Sequence, residues 1–146
     1  MSDRDPMDVE AVLEALNRAL ARQHRSVAQF TNAAGSLFGL EVQGVAGRLW
    51  EFARAELEDA RRLVEMITAL GGDPTTEIAP VRWSPHPADA VDWLIESETE
   101  LIDLLKAAIG PSGQEGRSEA LEHRLEHLIM RKQEQVDFLL RARRAG

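Results

Sequence analysis

The chain has 146 residues and a mass of 16.2 kDa, the size of one domain able to bury about 68% of its unfolded surface. Its 17 Lys and Arg against 25 Asp and Glu give a net charge of −8, which argues against sequence-independent nucleic-acid binding, and the absence of Cys excludes disulfides, thiolate metal sites and Cys nucleophiles. Tyr is absent too, no apolar run approaches the ~18 residues of a membrane span, and the charged start Met1-Ser2-Asp3-Arg4-Asp5 leads into no secretory signal, so a soluble cytoplasmic domain is expected.

Apolar residues recur at steps of three and four, the period of amphipathic helices, and strand signals are nearly absent. Residues 1–6 read as a tail, with Asp5 as an N-cap and Pro6 as the first helical residue. One face of the first helix carries Val9, Val12, Leu13, Leu16, Leu20, Val27, Phe30, Ala34 and Leu37, and Gly39 ends it near residue 38. The second helix carries Leu49, Phe52, Leu63, Met66, Ile67 and Leu70, then stops at Gly71-Gly72-Asp73-Pro74. Residues 71–87 contain Pro74, Pro80, Pro85 and Pro87, so no helix crosses them. A third helix is predicted from Ala88 to Ile109, with Val91, Leu94, Leu101, Leu105 and Ala108 inward. Gly110-Pro111-Ser112-Gly113 is a short turn, and a fourth helix runs to about Arg144 with Leu121, Leu125, Leu128 and Leu139 inward. The connections are short, long, short. That pattern predicts an all-α domain over residues 7–144: two antiparallel helical hairpins joined by one crossover, the ferritin-like form of the four-helix bundle.

Polar residues interrupt the inward series near the middle of each helix. They are Gln23 in the first, Glu56 and Asp59 in the second, Glu98 in the third, and Lys132 and Gln135 in the fourth. Mid-points of packed helices lie at one height, so these six side chains are expected to converge at the bundle centre. Charged groups are seldom buried unless paired or bound to metal, which makes a shared interior cluster the reading of choice.

The chain resembles the bacterioferritin-related part of the ferritin-like superfamily. The resemblance rests on Leu16-Asn17 through Ala28-Gln29-Phe30, and on Arg61-Arg62-Leu63-Val64-Glu65 through Gly71-Gly72-Asp73-Pro74. It continues in Glu98 through Leu105-Lys106-Ala107-Ala108-Ile109 and in Val136-Asp137-Phe138-Leu139. Di-iron members carry one Glu on each of two helices and Glu-x-x-His on each of the other two. Carried over to this chain, the first-helix Glu position is Gln23, and the second-helix pair is Glu56 and Asp59. The third-helix Glu is Glu98, and the fourth-helix pair is Lys132 and Gln135. The resemblance therefore implies a degenerate di-iron site with no catalytic residue. An internal salt-bridge cluster is expected in its place, with Lys132 among Glu56, Asp59 and Glu98. Those three carboxylates and one ammonium leave −2 if all are ionised. A carboxyl proton, water, or a single divalent cation on Glu56, Asp59 and Glu98 are the ways to close the difference.

Three other signals are weaker. His123-Arg124-Leu125-Glu126-His127 fits a zinc pattern, but both imidazoles lie beside the inward series and read as an exposed face. Haem binding in bacterioferritins uses a Met that corresponds here to Leu57, so haem is not expected by that route, and Met66 reads as core. Trp50, Leu57 and Val64 form a second apolar stripe, which suits a two-fold contact with another copy. The family's short fifth helix has no counterpart, which leaves the homodimer as the expected unit and a larger oligomer or unknown protein partner as open options. A non-catalytic scaffold or accessory protein is the leading reading. An iron-binding or iron-storage protein, or a ferroxidase with a modified carboxylate site, is the alternative.

Overall fold

The computed structural model describes residues 5–145. Four long helices make the domain: α1 (Val9–Ser36), α2 (Gln43–Ala69), α3 (Pro87–Ala107) and α4 (Ser118–Ala145). Single 3-10 turns at Leu40–Val42 and Gly110–Ser112 interrupt the two short connections. The described residues contain no strand, and none of their helices is long and apolar enough to cross a membrane. The short, long, short order of connections makes the expected pair of antiparallel hairpins.

The helix ends follow local chemistry. Asp8, not Asp5, caps α1: its side chain accepts a hydrogen bond from Ala11 N at 3.1 Å. Pro6 thus precedes the helix rather than opening it. The expected tail, residues 1–6, lies in part outside the described residues; Asp5 and Pro6 pack on the turn before α4. There Gln114 N donates to Asp5 O at 2.8 Å and Asp8 N donates to Pro111 O at 2.9 Å. Gly113 permits this approach. Its φ is +69°, and a Cβ at that position would sit 2.6 Å from Pro6 O. At the end of α2, Gly71 takes φ +84° while Gly72 N donates to Ile67 O at 3.0 Å, a Schellman closure.

The crossover runs along α1 and is held there by hydrogen bonds from its main chain to α1. Asn17 accepts from Thr75 N at 2.8 Å and donates to Asp73 O at 3.1 Å. Ala79 N donates to Ala21 O at 3.0 Å, and Arg82 N donates to Gln29 Oε1 at 2.9 Å. Prolines that forbid a helix thus leave an extended strap whose amides find partners on α1.

Two apolar clusters fill the bundle. One contains Val12, Leu16, Leu20, Leu63, Ile67, Leu101, Leu105, Leu125 and Leu128. The other contains Phe30, Leu49, Phe52, Val91, Leu94 and Leu139, and its rings meet edge to face, Phe30 to Phe52 at 6.1 Å between centroids. A polar layer crosses the bundle between them.

Candidate functional site: a buried ion cluster

The polar layer lies at the helix mid-points, as the interrupted periods require. Gln23, Glu56, Asp59, Glu98, Lys132 and Gln135 are all buried, and Lys132 and Glu56 have no exposed surface at all. Each projects from the face that is apolar one turn away in either direction. Their burial is therefore imposed by the same packing that buries the leucines.

The contacts centre on Glu56. Lys132 Nζ lies 2.9 Å from both Glu56 carboxylate oxygens and 3.0 Å from Asp59 Oδ2. Gln23 Nε2 donates to Glu56 O at 2.7 Å and to Glu56 Oε1 at 3.2 Å. Gln135 Nε2 donates to Glu98 Oε2 at 2.8 Å and to Glu56 Oε2 at 3.2 Å. Ser26 Oγ donates to Glu98 Oε1 at 2.6 Å. Lys132 does not pair with Glu98 as the sequence suggested; hydroxyl and amide donors hold that carboxyl instead.

A seventh residue completes the cluster. Arg131 reaches in from the edge of α4, with its side chain 24% exposed. Its Nη2 lies 2.7 Å from Glu56 Oε2 and also pairs with Asp59 Oδ2; its Nε donates to Asp59 Oδ1 at 3.3 Å, and its Nη1 donates to Gln135 Oε1. The helical period missed Arg131 because its Cα lies beside the seam while its guanidinium lies inside. The unclosed charge of −2 was the signal that pointed to a second cation.

The charges now balance. Burial opposes ionisation of Glu56, but the Lys132 ammonium and the Arg131 guanidinium outweigh it and hold the carboxyl down to about 2. Burial raises Glu98, and the negative charge of Glu56 raises it further, to about 8. Glu98 therefore carries a proton at neutral pH and shares a hydrogen bond with Glu56. Burial works against charging Lys132, yet Glu56, Glu98 and Asp59 together raise its pKa. Two cations face the carboxylates of Glu56 and Asp59, and the third carboxyl is neutral.

This donor set does not fit a di-iron group. Both oxygens of Glu56 are taken by an ammonium and both oxygens of Asp59 by a guanidinium. No imidazole joins the cluster, and among the described residues no three His, Asp or Glu are arranged to hold a metal ion. His123 and His127 lie exposed on α4, outside the buried cluster. Of the second apolar stripe, Trp50 is 53% and Leu57 61% exposed, whereas Val64 is half-buried against its own core.

Two outcomes follow. Lys132→Met strands Glu56 and Asp59 with one cation and should cost about 3–5 kcal/mol at pH 7, read by denaturant unfolding. Glu98 has a folded value near 8 against a reference of 4.5, so the native state binds the extra proton between those values. Its contribution to stability is then present below pH 4.5 and declines as pH rises to about 8. Glu98→Gln cannot titrate and should flatten that decline; an unchanged slope would show that Glu98 is ionised at neutral pH.

Comparison with known proteins places the chain. The sequence model of the ferritin-like domain matches residues 13–143. A bacterioferritin of Desulfovibrio desulfuricans is 29% identical over 104 residues, which cover 65% of this chain; the chain spans 58% of that relative's length. A ferritin-like di-iron-carboxylate protein of Bacillus anthracis superposes with a TM-score of 0.84 at 24% identity, covering 92% of this chain and 96% of its own. A bacterioferritin-related protein of Bacteroides fragilis, described as a dodecameric thioferritin, gives 0.83 at 18% identity, covering 93% and 86%. With the four-helix architecture and a match that runs from α1 to the last turns of α4, the chain belongs to the ferritin-like domain family.

Proposed function

We propose that this protein is a ferritin-like scaffold or accessory protein in which side-chain cations stand where relatives of the di-iron pattern hold metal. The observation that carries this reading is the Lys132 ammonium, set 2.9 Å from both oxygens of the one carboxylate at the cluster's centre. A divalent ion at Glu56, Asp59 and Glu98 would have to displace that ammonium and ionise Glu98. Oxidation of ferrous iron would further need the carboxylate that Gln23 replaces and the imidazoles that Asp59 and Gln135 replace. Leu57 offers no ligand to a haem iron. The site on this reading is structural, and the protein's activity lies in what its surface binds.

Protein purified without chelator should contain well under one equivalent of iron per chain and show no ferrous-dependent oxygen consumption above buffer. Two irons per chain would overturn the reading in favour of an iron-storing or iron-oxidising one.

The same reading makes the protein a homodimer at its smallest. Trp50 and Leu57 stand exposed seven residues apart on α2, and a two-fold contact needs only one such stripe because it is self-complementary. The dodecameric state described for the Bacteroides fragilis relative supports self-association of this fold. A dimer of about 32 kDa, twice the 16.2 kDa chain, is the expected main species. Leu57→Glu would set a charge against its symmetry mate and should yield monomer or aggregate. Sedimentation of parent and variant at several concentrations decides it: a monomeric parent excludes the dimer, and a 12- or 24-subunit parent shows that further surfaces assemble.

A further inference from the structure

A cleft of about 520 Å³ opens between the C-terminal part of α2 and the N-terminal part of α4, and no residue of the buried ion cluster lines it. Arg62, Met66 and Ala69 recur at steps of four and three along α2, and His123 and His127 stand one turn apart on α4 beside Arg124. Each helix thus turns one face to the opening. The charge of this lining runs against that of the chain. The whole sequence carries −8, whereas the cleft sets two guanidiniums and two imidazoles against one carboxylate, Glu65.

That carboxylate is already answered, because Glu65 accepts from Arg61 Nη1 at 2.6 Å. Arg61 also takes up Glu58, through its Nε at 3.2 Å. Arg62 is left with Glu58 at 3.8 Å, beyond hydrogen-bond distance. The other ion pair of this region among the described residues, His123 with Glu119 at 3.7 Å, does not engage Arg124. Two guanidiniums with open N–H groups and two imidazoles, each a donor in either protonation state, therefore surround one space. A phosphate dianion matches the two guanidiniums in charge and offers oxygens to every donor. The volume is that of a small-molecule site rather than of a lone ion, and part of the lining is apolar, at Ala69 and at the buried Met66.

We infer that the α2–α4 cleft binds a small organic phosphate. Arg62 and Arg124 clamp the dianion, His123 and His127 donate to its oxygens, and the organic part lies on Met66 and Ala69. The cleft stays open in the proposed dimer, since Arg62 follows Leu57 by five residues and so points about 140° away from it around α2. It is also independent of whether the buried cluster holds a metal.

The test is calorimetric titration of the full-length protein, in phosphate-free buffer at fixed salt, with phenyl phosphate, inorganic phosphate and phenol. About one phenyl phosphate should bind per chain, about tenfold more tightly than inorganic phosphate, and phenol alone should not bind. Arg62→Ala/Arg124→Ala should weaken phenyl phosphate by about tenfold or more. Arg141→Ala/Arg144→Ala removes the same charge from the far end of α4 and should leave binding unchanged. A parent that binds no phenyl phosphate overturns the inference. So does an equal loss in the two variants, which would mark a diffuse surface field, or equal binding of inorganic phosphate, which would leave Met66 and Ala69 without a role. If the first variant fails to fold, magnetic resonance of the parent decides. Of the four His in the chain, phenyl phosphate should shift the ring signals of His123 and His127 and leave those of His24 and His86 in place. Shifts confined to His24 or His86 would put the ligand elsewhere and overturn the assignment.

Discussion

The chelation of the Lys132 ammonium by the two oxygens of Glu56 governs the rest of the centre. Both groups are fully buried, and an unpaired charge there would cost several kcal/mol. Every neighbour can be understood as closing what that pair leaves open. Asp59 accepts the ammonium's remaining donor direction, and Arg131 neutralises Asp59. Gln23 and Gln135 supply N–H donors to the carboxylate, and Glu98 retains a proton because Glu56 has lost one. Removing any single member leaves another without its partner, so the cluster acts as a unit.

That unit also explains how the core is arranged. Leucine-rich packing toward one end and phenylalanine-rich packing toward the other are separate clusters, with the polar layer between them. A buried polar layer gains little net stability over apolar packing, but it fixes register, since sliding one helix by a turn would set charges against leucine. The strap between α2 and α3 takes part through Gln29, which accepts from Arg82 N and donates to Ser97 Oγ at 2.9 Å, one residue from Glu98. Chain connectivity and the ion cluster are thereby tied to the same stretch of α1.

Much of this was legible in the order of residues. Helical periodicity and the prolines of residues 71–87 fixed two hairpins and a crossover, and the interruptions of that periodicity located six cluster residues. The misses have physical causes. Asp5 and Asp8 both suit an N-cap, and the choice between them depends on the docking of residues 5–8 against the turn after α3, a contact between distant parts of the chain. Arg131 escaped because periodicity tracks Cα positions, whereas a long side chain can carry its charge from a flank into the interior. The path of the strap rests on one main-chain bond to Ala21 and on the side chains of Asn17 and Gln29, whose pairing with strap amides far along the chain has no local signature. Val64 shares a helical face with Trp50 and Leu57, yet nearby packing covers it and leaves them bare.

The central claim is a buried cluster made neutral by two side-chain cations and one protonated carboxyl. Infrared spectroscopy of protein with isotope-labelled glutamate, compared with Glu98→Gln, tests it most directly. The account predicts the carbonyl band of one un-ionised carboxylic acid at pH 6.5, lost as pH rises through about 8 and missing from the variant. A spectrum showing all glutamates ionised at pH 6.5, as carboxylates that ligate a metal are, would contradict it.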